Sequence, residues 1–293
     1  MNRPIGFLDS GVGGLTVVKE AMRQLPNESI IYIGDNARCP YGPRSVEEIA
    51  TFTNQMVDFL LTKDIKLLVI ACNTATAVAL DEIKQRVPIP VIGVIQPGAR
   101  AANKYTKNGK IGVLGTEGTI KSGMYLENLL QKNKDLNTTS LACPAFVPLV
   151  ESQQYATPLA KKVIAETLAP IKNKGLDTVI LGCTHYPLLR DTIQKTLGHT
   201  VKLVDSGQET ISDVSILLDY NDIAKLSDDP SPRVTEFYTT GSPELFKEIA
   251  DDWLDQPIEV DRVTIETLEA IQKQMKEGSH LYETSNDRYS QPR

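Results

Sequence analysis

Leu67-Leu68-Val69-Ile70-Ala71-Cys72, followed at once by Asn73-Thr74-Ala75-Thr76, is the stretch from which the fold can be read. The first six residues are apolar without alternation, the pattern of a strand covered on both faces in a parallel sheet. From Ala75 to Arg86 the apolar residues recur at helical spacing, and Asn73 or Thr74 is suited to cap that helix. The same strand-then-helix unit recurs along the chain. Strands are expected over 5–9, 30–35, 67–72, 91–95, 111–115, 141–146, 178–183, 201–205 and 234–239. Helical patterns fill 16–24, 46–61, 75–86 and 159–171. This alternation predicts an α/β protein with mostly parallel sheets. Turn signals at Gln96-Pro97-Gly98 and Ser206-Gly207 divide the chain near 97 and 207.

The segments on either side of residue 97 resemble each other. Ile5-Gly6-Phe7-Leu8-Asp9-Ser10-Gly11 aligns with Ile111-Gly112-Val113-Leu114-Gly115-Thr116-Glu117. Leu68-Val69-Ile70-Ala71-Cys72-Asn73-Thr74 aligns with Val179-Ile180-Leu181-Gly182-Cys183-Thr184-His185. Sixty-three residues separate Asp9 from Cys72, and 68 separate Gly115 from Cys183. The chain therefore reads as two copies of one α/β unit, each with a cysteine at the end of an equivalent strand.

Composition removes several classes of function. At 293 residues the chain has room for two domains of about 150 residues each. With 41% hydrophobic and 23% charged residues it can bury ordinary cores. The net charge of −6 leaves no basic footprint for nucleic acid. The longest apolar run, 67–72, is far short of the about 20 residues of a membrane helix, and the N-terminus carries no signal-peptide pattern. Four cysteines without a CxxC pair suit a reducing cytosol rather than a disulfide scaffold, and with three histidines they form no spaced metal-ligand set. Cys39 and Cys143 read as small buried residues.

Cys72 and Cys183 read otherwise. Ligands in open α/β sheets bind beyond the carboxyl ends of strands, where both cysteines lie. A thiol just before a helix N-terminus is expected to lose its proton more easily. Two thiols flanking one ligand suit a racemase. One removes a proton from one face of a stereocentre, the other delivers a proton to the opposite face, and the roles exchange with direction. A hydrolase or transferase would want one nucleophile and a different base.

The remaining motifs supply support. Asp9-Ser10-Gly11-Val12-Gly13-Gly14 is a turn able to offer backbone N–H groups to an anion such as a carboxylate. It is neither the dinucleotide fingerprint nor a P-loop. Asp35 imitates a ribose-binding acid only weakly. Cys39-Pro40-Tyr41-Gly42 reads as a turn, His185 as a residue able to tune Cys183, and Glu151 as a surface or cleft acid.

Those four motifs, Asp9–Gly14, Cys39–Gly42, Ala71–Ala75 and Gly182–Pro187, together resemble the bacterial glutamate racemases of the aspartate/glutamate racemase superfamily, over roughly residues 4 to 265. The resemblance implies cofactor-independent interconversion of L- and D-glutamate, with D-glutamate passing into peptidoglycan precursors and with no metal. It implies Cys72 and Cys183 as the acid/base pair, Cys72 acting on the D- and Cys183 on the L-enantiomer. Asp9, His185 and Glu151 would assist them. Ser10, Tyr41, Gly42, Asn73, Thr74, Thr184 and His185, with Asp9, would hold substrate. The implied fold is two similar doubly wound, mostly parallel-sheet domains related by pseudo-twofold symmetry, with the active site in the cleft between them. One domain would comprise 1–97 plus 208–265 and the other 98–207. A homodimer in the cytoplasm is also implied, with no nucleic acid or membrane partner. From 266 to 293 no motif applies. Ile265, Leu268, Ile271 or Gln272, and Met275 could form one helical stripe, and a frayed polar tail is expected after Lys276. Two other readings stand beside this one: aspartate or hydantoin racemisation by the same thiols, and a two-domain protein that closes on a small anion without chemistry.

Overall fold

A computed structural model describes residues 3–226, 229 and 231–286, with side chains as far as Glu277. The first sheet collects β1 (Ile5–Asp9), β2 (Ile30–Gly34), β3 (Leu67–Ile70), β4 (Val91–Gly93), β9 (Thr235–Thr239) and β10 (Val260–Arg262), in the order β10-β9-β2-β1-β3-β4. The second collects β5 (Lys110–Gly115), β6 (Asn137–Ala142), β7 (Thr178–Gly182) and β8 (Lys202–Asp205), in the order β6-β5-β7-β8. Every strand pair is parallel, so each connection must cross over through other structure.

Most crossovers are helical. In the first layer they are α1 (Leu15–Gln24), α2 (Val46–Thr62) and α3 (Asn73–Arg86), joined late in the chain by α11 (Pro243–Leu254) and α12 (Ile265–Asn286). Around the second sheet run α4 (Ile95–Tyr105), α5 (Glu117–Lys121), α6 (Met124–Lys132), α7 (Phe146–Glu151), α8 (Pro158–Lys172) and α9 (Arg190–Leu197). Helix α10 (Ser206–Tyr220) packs on both α1 and α4 and so ties the two layers together. No helix among the described residues is long and apolar enough to cross a membrane.

The repeat read from the sequence is a repeat of topology. Strands β2-β1-β3-β4 and β6-β5-β7-β8 have the same order. The register agrees to the residue: Gly6 faces Leu68 in one sheet, and Gly112 faces Val179 in the other. Both glycines are there for the same reason. A Cβ on Gly6 would come within 2.7 Å of Ile65, and one on Gly112 within 2.9 Å of Leu176. Each bulky residue lies two positions ahead of the neighbouring strand and fills the space a side chain on the first strand would need.

Five local expectations are corrected. The strand expected over 141–146 is Asn137–Ala142, and Phe146 opens α7. As an edge strand covered poorly on its faces, β6 is partly exposed and needs little apolar content, so the apolar run beside it misleads. The short, largely exposed edge strand β10 escapes notice for the same reason. Strand β4 stops at Gly93, and Gln96-Pro97-Gly98 lies in the first turn of α4, where a proline costs no hydrogen bond. Ser206-Gly207 likewise opens α10, capped by Asp205, whose Oδ1 accepts from Gly207 N and Gln208 N at 3.0 and 3.2 Å. Helix α12 continues to Asn286, beyond Lys276 where fraying is expected. Leu268 is fully buried and Ile271 packs beside it against α2. The expected tail from 287 to 293 lies outside the described residues.

One buried ion pair anchors the segment after α10. Lys66 and Glu28 are 1% and 6% exposed, with Lys66 Nζ 2.6 Å from Glu28 Oε2. Lys66 Nζ also donates to the Ile223 carbonyl at 2.7 Å, and Glu28 Oε1 accepts from Lys225 N at 2.8 Å. Lys66→Met keeps the stem and removes the charge, which leaves Glu28 buried and unpaired. We expect a loss of about 3–5 kcal/mol, read as a lower urea midpoint with an unchanged slope. A loss below about 1 kcal/mol, the scale of an exposed pair, would show that Glu28 reaches water.

Candidate active site

Cys72 stands two residues past the end of β3 and Cys183 one past the end of β7. Because β3 and β7 occupy equivalent places in the two sheets, both sulfurs reach the walls of one cavity between the layers. The first layer contributes Ser10, Tyr41, Gly42, Asn73 and Thr74 to that wall, and the second contributes Thr184 and His185. Asp9 and Glu151 are not in the wall but stand behind it. The cavity measures about 20 Å³, room for one water and none for an amino acid. The layers are closed on each other.

Cys72 is itself the N-cap of α3, in place of Asn73 or Thr74. Its extended backbone lets Sγ accept from Ala75 N at 3.4 Å, and its thiol donates to Ser10 Oγ at 3.5 Å. The expected drop in its proton affinity does not follow. Burial, and after it the Asp9 carboxylate, push Cys72 up to about 12, against the opposing bonds from Ala75 N–H and Ser10. In the closed cavity Cys72 is a thiol.

Cys183 has a different neighbour. His185 Nδ1 lies 3.7 Å from Cys183 Sγ, and His185 Nε2 lies 3.2 Å from Glu151 Oε1. Burial works against a charge on this ring. Its bonds and charge interactions with Cys183 and Glu151 prevail and push His185 up to about 10. Burial also raises Glu151, yet His185 holds its carboxyl below the ordinary range. The pair is therefore an imidazolium and a carboxylate, and the cation stands beside Cys183.

The glycine-rich turn works otherwise than expected. Gly11 N–H is given to Asp9 Oδ1 at 3.0 Å rather than to a ligand. A Cβ on Gly13 would fall 2.3 Å from Thr184 Oγ1 and 2.5 Å from the His185 ring. Gly13 thus lets the first layer close onto the second. Asp9 is fully buried and reaches Thr184 Oγ1 at 3.4 Å. Burial raises its proton affinity, against the charge of His185 and the turn's N–H groups. Asp35 does not reach the cavity. Its Oδ2 accepts from Tyr41 Oη at 2.5 Å and from Arg38 Nε at 2.7 Å, and its Oδ1 from Thr240 Oγ1 at 2.8 Å. It braces the Tyr41 loop and is fully buried.

Three wall or supporting residues were not anticipated. Thr116 lines the cavity and shares hydroxyl contacts with Thr74 at 3.0 Å. The repeat alignment pairs Thr116 with Ser10 and could have found it. Cys39 is only partly buried. It lines the cavity and donates to Glu151 Oε1 at 3.6 Å. Tyr125 Oη donates to Asn73 Oδ1 at 2.7 Å, from a helix that carries no motif. Asn73 Nδ2, buried in the wall, has no hydrogen-bond partner. Cys143 is buried in the core as read.

Residues 10–214 match the family model described as Asp/Glu/Hydantoin racemase. The chain belongs to the Asp/Glu/hydantoin racemase family. Within that family it is 60% identical over 262 residues to a protein of Carnobacterium sp. (strain St2) named glutamate racemase, covering 89% of this chain and 98% of that one. It superposes on a glutamate racemase isoform of Bacillus anthracis with a TM-score of 0.86 at 49% identity, covering 90% and 98% of the two chains. A glutamate racemase of Francisella tularensis, solved with D-glutamate, gives 0.84 at 35% identity, with 92% and 99% covered. The two parallel-sheet layers are those of a racemase of this family.

The imidazolium–carboxylate pair has a signature in pH. A histidine raised from its ordinary 6.5 to about 10 adds stability that is complete below pH 6.5 and is lost as pH rises through 10. Glu151, held low, adds stability that is lost as pH falls below its ordinary 4.5. The stability gap between the wild type and Glu151→Gln should be widest between these limits and close towards pH 10. In ¹⁵N-histidine NMR the His185 ring should stay doubly protonated at pH 8 in the wild type and lose its proton at lower pH in Glu151→Gln than in the wild type. A ring already neutral at pH 7 in the wild type would refute the pair.

Proposed function

We propose that this chain is a glutamate racemase that exchanges the α-proton between Cys72 and Cys183. The observation that carries this reading is the placement of two thiols from equivalent strands in one cavity, one kept protonated and the other beside a cation. With L-glutamate, Cys183 as thiolate takes the α-proton on one face, and Cys72 as thiol gives its proton to the other. The step leaves Cys183 as thiol, Cys72 as thiolate, and D-glutamate. The reverse direction exchanges the roles. Identity of 60% to a glutamate racemase over most of both chains supports glutamate over aspartate or hydantoin. The D-glutamate in the Francisella tularensis structure supports an amino-acid ligand.

The thiols supply only part of the acceleration. Enzymes lower barriers by about 8–23 kcal/mol, and a positioned acid or base contributes about 10²–10⁴-fold. The larger part must come from dipoles aimed at the carboxylate as it takes up charge. Asn73 Nδ2 is buried and unpartnered, so it meets a carboxylate oxygen without giving up another bond. Ser10, Thr74 and Thr184 surround the same space. Asp9 and Glu151 act from behind the wall, one through Thr184 and the other through His185. The same reading includes two lobes, 1–97 with 208–265 and 98–207, that part to admit substrate. It also includes a cytoplasmic homodimer that supplies D-glutamate for peptidoglycan.

The decisive test is proton exchange. With L-glutamate in D₂O, the wild type should lose the α-proton NMR signal while optical rotation decays to zero. Cys72→Ser and Cys183→Ser should each slow racemisation by about 10²–10⁴-fold. Undiminished racemisation in either variant would eliminate the two-thiol mechanism. Turnover of aspartate but not glutamate would transfer the assignment to the sister activity.

A further inference from the structure

The wall residue that follows Cys72 is held from the opposite layer. Tyr125 belongs to α6, which packs on α4 over the second sheet. Its ring lies against Gly182, the residue before Cys183, so closely that a Cβ there would fall 2.9 Å from Cε2. Its hydroxyl crosses to the first layer and donates to Asn73 Oδ1 at 2.7 Å. Both side chains are about 2% exposed. An amide has two ends of opposite hydrogen-bonding character. With a donor fixed on its oxygen, its nitrogen is turned the other way, and in this structure Asn73 Nδ2 has no partner among the protein atoms.

We propose that Tyr125 is a positioning residue for substrate: it orients the Asn73 amide so that Nδ2 faces the cavity as a donor to a glutamate carboxylate. The arrangement also sets the two arms of the site against each other, because the ring that fixes the residue after Cys72 is seated on the residue before Cys183. The inference rests on the reading of Asn73 as a substrate contact, and the experiment separates the two.

Full-length Tyr125→Phe, Asn73→Ala and the double variant are assayed in both directions, with their thermal midpoints recorded. Tyr125→Phe keeps the ring on Gly182 and removes the hydroxyl, with its donation to Asn73 and its contact with Ser206. It should raise KM for glutamate about 3- to 10-fold, the worth of one ordinary hydrogen bond, with kcat within about twofold. Inhibition by glutarate, which has the carboxylates and no ammonium group, should weaken by the same factor. Asn73→Ala alone should raise KM, and adding Tyr125→Phe to it should change nothing more. If Asn73→Ala leaves KM unchanged, both the contact and the inference are overturned. If Asn73→Ala raises KM while Tyr125→Phe does not, or the two effects multiply, the contact stands and the role of Tyr125 is overturned. A fall in kcat and thermal midpoint with KM unmoved would make Tyr125 a packing residue only.

Discussion

Asp9, Cys72 and His185, at the seam between the two sheets, are all taken out of water, and the rest of the site follows from how each is compensated. Asp9 is met by the Gly11 amide and the Thr184 hydroxyl, His185 by Glu151 and Cys183. Cys72 has no cation within bonding reach and keeps its proton instead. Unpaired charge in such surroundings costs several kcal/mol, so the partners must arrive from both layers at once. Gly13 is what permits this, since any side chain there would hold Thr184 and His185 away from the turn that carries Asp9.

The architecture could be read from the sequence because it rests on local periodicity and on repetition. The alignment of Gly6 with Gly112 and of Leu68 with Val179 proved to be a statement about strand register. Edge strands and helix starts could not be read in the same way. The residues of β6 and β10 are only partly buried and carry a weak apolar pattern. Pro97 and Gly207 look like breaks although they open helices. The second failure arises because a residue that ends one element and a residue that begins the next have the same local chemistry.

At the site, the strand-end position of the two cysteines could be read, but their charge states could not. The helix that follows Cys72 argues for an acidic thiol, and this holds as far as it goes, since Ala75 N–H does bond the sulfur. It is outweighed by burial and by Asp9, which is 63 residues away in sequence. Long-range juxtaposition also hides Tyr125 and Cys39, whose partners Asn73 and Glu151 lie in the other layer. Tyr125 carries no motif, and the motif that contains Cys39 marks a turn rather than its bond to Glu151.

The two thiols are alike in chemistry and unlike in setting, and this bears on how the proposed reaction can run both ways. Cys183 has the His185 ring, its proton affinity raised by Glu151 and Cys183 itself, at 3.7 Å. Cys72 is buried with the Asp9 charge nearby, and both hold its proton in place. Under the proposed mechanism, a turnover that leaves Cys72 as thiolate therefore needs a compensating positive charge. The substrate ammonium supplies one positive charge while it is bound. A cavity of about 20 Å³ has no room for an amino acid, so the proposed reaction also requires the two layers to part.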